Sequence, residues 1–371
     1  MLRILLILIF IRPFLSSAAY PCADAVYSFL LLGILLLWTA KKGISSGAWR
    51  PLAVPLSCYA GAVVLSVFCS GPGGAGAETL YKYVQGIFLV AVAASLAPED
   101  KERLIDALLA AGVIVSLLAL YQYLFGFRLL AEFMQKRNMD SPFALDYISR
   151  RRSFLPFVTP NALAGYVSML IPLAFISRRR AWIMAPLSVA LVLTGSIGAA
   201  GSLAAGLGVF FYCSRSSKKW LLIYAAGLAA CLGLIVILRL NIQKEHTQPV
   251  FSAVMRLDYW RQTIALALAH PFCGVGIGNF DLAVSRYAHN SYLQLWAETG
   301  ILGIASFLWL VFAAMKAGLK NLAGHKPRPR TACLIMAALT VFLAHNVIDF
   351  TFYLPEVSLI WWLLLGLLLS P

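Results

Sequence analysis

Residues 24–40 read DAVYSFLLLGILLLWTA and residues 356–370 read EVSLIWWLLLGLLLS, each an apolar run with one acidic residue at its start. A helix rises 1.5 Å per residue, so runs of this length approach the roughly 30 Å of hydrocarbon in a bilayer. Further windows of the same kind lie at 2–19, 51–70, 80–97, 104–125, 160–177, 181–196, 199–213, 220–238, 290–315 and 331–350. An open sheet could not satisfy its backbone in lipid, and no ten-residue alternation marks a barrel. The windows therefore predict an all-α polytopic integral membrane protein of about 12 transmembrane helices, a single membrane domain over 1–371.

Composition agrees. The 371 residues are 61% hydrophobic and 12% charged, with a mean hydropathy of +0.83. A soluble domain carries about 25% charged residues, so a water-soluble enzyme is excluded. The first twenty residues have some features of a signal peptide. Arg12-Pro13 interrupts the apolar core, however, and Ala18-Ala19-Tyr20 is a weak cleavage site, so the segment is expected to stay as the first span.

The net charge of +15 would suggest nucleic acid in a soluble chain. Here membrane topology accounts for most of it, and no nucleic-acid partner is expected. Lys and Arg favour short cytoplasmic loops. One alternate set of connections holds 16 of the 30 basic residues, at 41–50, 101–103, 178–180, 215–219 and 316–330. The opposite short loops, around Pro21, Gly71–Ala77, Gly198 and Leu354, hold almost none. The basic set is thus expected in the cytoplasm together with both termini. The seven cysteines show no CxxC and no Cys/His ligand spacing, so they read as small core residues with no metal site.

Two long segments, 126–159 and 239–289, fall on the outer side by this count. They nevertheless hold Arg128, Lys136, Arg137, Arg150, Arg151, Arg152, Arg239, Lys244, Arg256, Arg261 and Arg286. Topology gives no reason for that charge. Solvated loops or contacts with lipid headgroups are one reading. The other is an anion site, since the guanidinium fork matches phosphate, and a pyrophosphate-bearing lipid would suit it.

The densest polar signal runs over 256–303. Arg256 and Trp260 share a helical face, and His270-Pro271 ends that helix. Gly274-Val275-Gly276-Ile277-Gly278 is expected to be a flexible turn. It lacks the strand, the spacing and the acidic residue of a dinucleotide fingerprint. His289-Asn290 then opens the tenth span. From His289 to Lys316, a straight helix would run about 40 Å, which places His289 roughly 10 Å beyond the hydrocarbon, at headgroup depth. Histidine suits proton transfer there because its ordinary pKa is near neutrality. Glu298, about 180° round the helix from His289, is expected to make interhelix hydrogen bonds instead. Asp258 and Asp281 are read as balancing the local positive charge.

This stretch resembles the shared domain of bacterial O-antigen ligases and O-antigen polymerases. The resemblance rests on Arg256…Trp260, the Pro271–Gly276 turn, His289-Asn290, a nine-residue gap, and Gly300-Ile301-Leu302-Gly303. Weaker echoes are Thr159-Pro160-Asn161-Ala162-Leu163-Ala164-Gly165, preceded by Arg150–Arg152, and His345-Asn346 through Asp349-Phe350. It extends over about 150–371. One departure stands out: the family commonly has Ser-Arg-Gly where this chain reads Ser196-Ile197-Gly198. Either one of Arg150–Arg152 supplies the missing charge, or donor binding differs.

The resemblance implies a GT-C-like fold and glycosyl transfer on the periplasmic face of the inner membrane. Pyrophosphate is already a good leaving group and the sequence shows no metal-ligand cluster, so no cofactor or metal is expected. The donor would be an undecaprenyl-pyrophosphate-linked glycan. The acceptor would be lipid A–core for a ligase, or another lipid-linked repeat unit for a polymerase, and the ligase reading is preferred. Membrane lipids would be further partners. His289 would activate the acceptor hydroxyl and Arg256 would stabilise the leaving pyrophosphate, so both are expected to be catalytic. Arg150, Arg151, Arg152, Arg261, Arg286 and Asn290 are expected to bind substrate. The competing class is a transporter, which tends to place polar residues at mid-membrane in repeated halves; neither feature is apparent here.

Overall fold

The computed structural model describes residues 1–42, 46–71, 75–138, 148–214, 251–283, 285–323 and 329–369, with isolated positions at 145 and between 219 and 237. Much of the expected span at 220–238, together with Arg239 and Lys244, lies outside the described residues. The helices used below are α1 (Leu2–Ile11), α2 (Pro21–Lys42), α3 (Ser46–Cys69), α4 (Gly76–Ala94), α5 (Pro98–Tyr121), α6 (Phe127–Lys136), α7 (Pro160–Ala174), α8 (Arg180–Thr194), α9 (Ile197–Ser214), α10 (Phe251–Ala269), α11 (Ser291–Ala323), α12 (Pro329–His345) and α13 (Pro355–Leu369). No strand forms among the described residues.

Among the described residues, five helical stretches are long and apolar enough to cross a bilayer: Pro21–Lys41, Trp49–Cys69, Pro98–Lys136, Ile197–Ser214 and Ser291–Ala323. Five further apolar helices are shorter. The chain is thus an all-helical polytopic membrane protein. Lipid replaces water on its flank, so large apolar side chains such as Phe29, Phe68, Trp182 and Phe312 stand exposed there.

The centre is built from the most uniformly apolar sequences. Every residue of α13 is buried, as is every residue of α7 except Asn161, the behaviour of helices that are apolar all round. α13 packs on α4, α9 along α12, α11 along α3, and α7 against both α8 and α12. Trp361, Phe342, Phe352 and Phe307 interlock where α11, α12 and α13 meet.

The expected first span, 2–19, does not form. α1 has ten residues, about 15 Å of rise, and a 3-10 turn at Arg12–Phe14 follows it. Arg12 is buried there, pairing with Asp24 at 2.6 Å and Glu356 at 3.5 Å and lying over the Tyr27 ring. A buried guanidinium needs such partners, and the Arg12-Pro13 interruption is where the chain supplies one.

The α5 helix continues through a π-helical turn, Gln122–Gly126, into α6. Gln122 Oε1 accepts from the backbone amides of Phe154 and Leu155, and Ser153 Oγ donates to the carbonyl of Ala119. The arginine-rich loop is therefore fastened to the end of α5.

Candidate active site

The site is assembled at one end of the bundle from the ends of five helices. α11 begins just after His289. Asn290 caps it, its Oδ1 accepting from the amides of Tyr292 and Leu293, both at 3.0 Å, which satisfies two of the amides that a helix start leaves open. The acceptor of Asn290, expected to bind substrate, is used in this cap. His289 sits one residue ahead with φ +53°. That left-handed conformation costs a non-glycine residue about 1 kcal/mol.

Aromatic rings hold the imidazole in place. Tyr259 of α10 stacks on it at 5.8 Å between centroids, and Phe350 meets it edge-on at 4.9 Å. Phe350 in turn stacks on Tyr287 at 4.1 Å. Arg256, one helical turn before Tyr259, brings its positive charge to bear on His289, and Asp349 its negative charge. Burial pushes the His289 imidazole below the usual histidine range, Asp349 acts against this, and Arg256 adds to it.

The segment after α12 closes the other side. Ser291 donates its amide to the carbonyls of Asn346 and Asp349 at 2.9 and 3.1 Å, and its hydroxyl to Asn346 Oδ1 at 2.6 Å. Two His-Asn pairs, 289–290 and 345–346, are thereby brought side by side. His345, from one of the weaker echoes, is buried and lies 3.2 Å from the carbonyl of Asn161. It feels the same two charges, Arg256 and Asp349. Gly165 permits this, since a Cβ there would meet the His345 ring. One ring nitrogen of each histidine and Nε1 of Trp260 are buried without a hydrogen-bond partner. Buried polar groups normally have partners, so these nitrogens are left able to bond a ligand or water. Their signal in the sequence was the repeated His-Asn pair.

The arginines divide. Arg152 donates from Nε to the carbonyl of Thr194 at 2.7 Å and from Nη2 to Asn161 Oδ1 at 3.0 Å, and it lies across Gly195. It therefore stands beside Ser196-Ile197-Gly198, where the expected basic residue is missing. Through Asn161 it shares a hydrogen-bonded unit with His345. Arg151 instead turns outward, donating to the carbonyl of Tyr123 at 2.9 Å and covering the Tyr123 ring. Arg150 is half-buried, and Arg261 and Arg286 are exposed. The charge of Arg286 acts on Lys82 and Tyr287.

The glycine turn is held in place, contrary to the flexible turn expected from its composition. α11 breaks at Gly300, with φ +63° and ψ −167°, and the 271–278 loop fills the break. Val275 donates its amide to the carbonyl of Ala297 at 2.9 Å, Gly276 to that of Glu298 at 3.0 Å, and Ile301 to that of Pro271 at 2.8 Å. A Cβ at Gly274 would strike the Glu298 carbonyl, and one at Gly300 the Phe272 carbonyl. These glycines are there for close backbone approach. The break also makes the 40 Å from His289 to Lys316 an upper limit. Glu298 accepts from Gln294 Nε2 within its own helix at 3.1 Å, its carboxyl also meets the Gly278 backbone and the Tyr353 hydroxyl, and its backbone carbonyl accepts from Ser66 Oγ at 2.7 Å.

This loop, kink and histidine lie in a recognised domain. Residues 181–308 match the family model described as O-antigen ligase. The match supports assignment to the O-antigen ligase/polymerase family, and it contains Arg256, His289 and both glycine motifs. It ends before His345 and starts after Arg152 and Asn161, so it is shorter than the 150–371 resemblance. No curated protein matches the chain. An O-antigen ligase domain implies a glycosyltransferase-type membrane enzyme with lipid-linked glycan substrates.

Proposed function

We propose that the protein transfers a glycan from undecaprenyl pyrophosphate to a sugar hydroxyl, with lipid A–core as acceptor, on the periplasmic face of the inner membrane. The observation that carries this reading is His289, aromatic-packed and half-buried beside the charges of Arg256 and Asp349. A base and a cation in one pocket are what displacement of a pyrophosphate requires.

In this reading the acceptor oxygen attacks the anomeric carbon while its proton passes to the neutral imidazole of His289. The bond from that carbon to the pyrophosphate oxygen breaks, and negative charge grows on the leaving lipid pyrophosphate. Arg256 meets that charge where it develops. Arg152, beside Ile197, stands in for the family's missing basic residue, while Asn161 and His345 orient it. Arg151 turns away from this centre. Arg150, Arg261 and Arg286 are left the role of drawing the anionic donor to the membrane face. No residue of the site is assigned to a metal.

The test supplies purified protein in EDTA with a polyprenyl-pyrophosphate glycan and either lipid A–core or further donor. Modified lipid A–core establishes the ligase reading. A ladder of longer lipid-linked chains makes the protein a polymerase instead. Failure to transfer to either acceptor, with folded protein and a suitable glycan, removes the proposal.

A further inference from the structure

Only one of the described cysteines, Cys333, is the fully buried core residue that apolar surroundings suggested. Cys22, Cys58 and Cys69 are exposed, Cys213 and Cys273 are partly so, and Cys333 is buried; Cys231 lies outside the described residues. Two of them meet. Cys69 is the last residue of α3, Cys273 lies in the loop that fills the α11 break, and the two thiols are close enough to act on one another.

The surrounding backbone enforces this approach. Ser66 Oγ accepts from the amide of Ile277 at 2.9 Å, and Asn279 Nδ2 donates to the carbonyl of Ser70 at 3.2 Å. At Gly276 there is no room for a Cβ, which would lie 2.7 Å from the Cα of Ser70. The α3 terminus, on either side of Cys69, is thus in contact with the part of the loop that follows Cys273. Nothing in the transfer mechanism uses either thiol. Both lie at the membrane face that the arrangement of basic loops assigns to the outside, where disulfides form and persist.

We propose that Cys69 and Cys273 are a disulfide site that staples the loop ahead of His289 to the end of α3. The oxidant is a disulfide, carried by an envelope oxidoreductase or a small molecule. The thiolate of Cys69, the more exposed of the pair, attacks one oxidant sulfur and expels the other as a thiol. The thiolate of Cys273 then attacks the Cys69 sulfur of the mixed disulfide and releases the second thiol. Two electrons and two protons pass to the oxidant, and one sulfur–sulfur bond forms in the protein. The inference rests on the outward orientation in the proposed function, but not on catalysis.

The test treats the full-length protein in detergent with glutathione disulfide, blocks residual thiols with a maleimide, and digests it without reductant. In parallel, intact cells receive a membrane-permeant maleimide before lysis. The Cys69 and Cys273 peptides are expected as a joined pair, lighter by two hydrogens, in both samples. A reductant should lower the melting temperature of the wild type to that of Cys69→Ser, and leave Cys69→Ser unchanged. Free thiols at both positions after glutathione disulfide, or pairing with other cysteines, overturns the proposal through its geometry. Joining in detergent with full alkylation in cells overturns it through the orientation, and the outward active site fails with it. A joined pair in a protein that transfers no glycan leaves the disulfide standing and removes only the functional reading.

Discussion

At the scale of single residues, the site depends on keeping one imidazole neutral beside a guanidinium. His289 has its pKa lowered by burial, with Arg256 acting in the same direction. A base with a depressed pKa is active above that value and is lost as the pH falls through it. The acid limb of kcat/KM is therefore expected below the ordinary histidine range, and Arg256→Gln should move it upward while slowing transfer. Arg256→Lys keeps the charge but not the bidentate fork, and should cost about 10–100-fold in rate, corresponding to roughly 1.5–3 kcal/mol for a charged hydrogen bond. A pH–rate profile of the three proteins checks both effects; a limb unmoved in Arg256→Gln would separate Arg256 from His289. The placing of His289 near Arg256 was foreshadowed by the motifs that carry the family resemblance. The sorting of Arg152 inward and Arg151 outward was not, because it depends on Thr194 and Tyr123, which are distant in sequence.

At the scale of elements, a loop and a kinked helix replace one another's backbone bonds. Gly300 at positive φ opens α11, and Val275, Gly276 and Ile301 use the carbonyls and amides made available around the break. Gly300→Ala introduces a Cβ against the Phe272 carbonyl in a conformation that disfavours one. It should destabilise the fold by about 2 kcal/mol or more. Thermal unfolding in detergent measures this, and an unchanged melting temperature would show that the break is not enforced by glycine. Most of the apolar helices followed from length and apolarity, and the end of α10 from the His270-Pro271 step, whereas α6 and α10 lie inside segments read as long outer loops. The break was not legible, because GxGxG followed after a gap by GxxG gives no local sign that the two motifs meet. The ten-residue α1 was missed similarly: the partners of Arg12 lie at Asp24 and at distant Glu356.

At the scale of the whole molecule, function depends on which end of the bundle faces outward. The starts of α7, α9, α11 and α13, the ends of α5 and α12, and the Cys69–Cys273 pair share one end. The basic connections read as cytoplasmic belong to the other. Single cysteines placed at Asp140 and Ser285 are expected to react with an impermeant maleimide in intact spheroplasts, whereas reaction only after permeabilisation would reverse the topology. This organisation was legible as charge asymmetry between loops. The meeting of 159–165, 289–291 and 345–350 in one site was visible only as repeated His-Asn and Asn-bearing motifs, because helix packing, not sequence proximity, joins them. The measurement that tests the central claim most directly is glycan transfer by purified, folded His289→Ala beside the wild type, with donor and acceptor saturating. The account predicts that transfer is abolished while the melting temperature stays near that of the wild type. Transfer at the wild-type rate would contradict it.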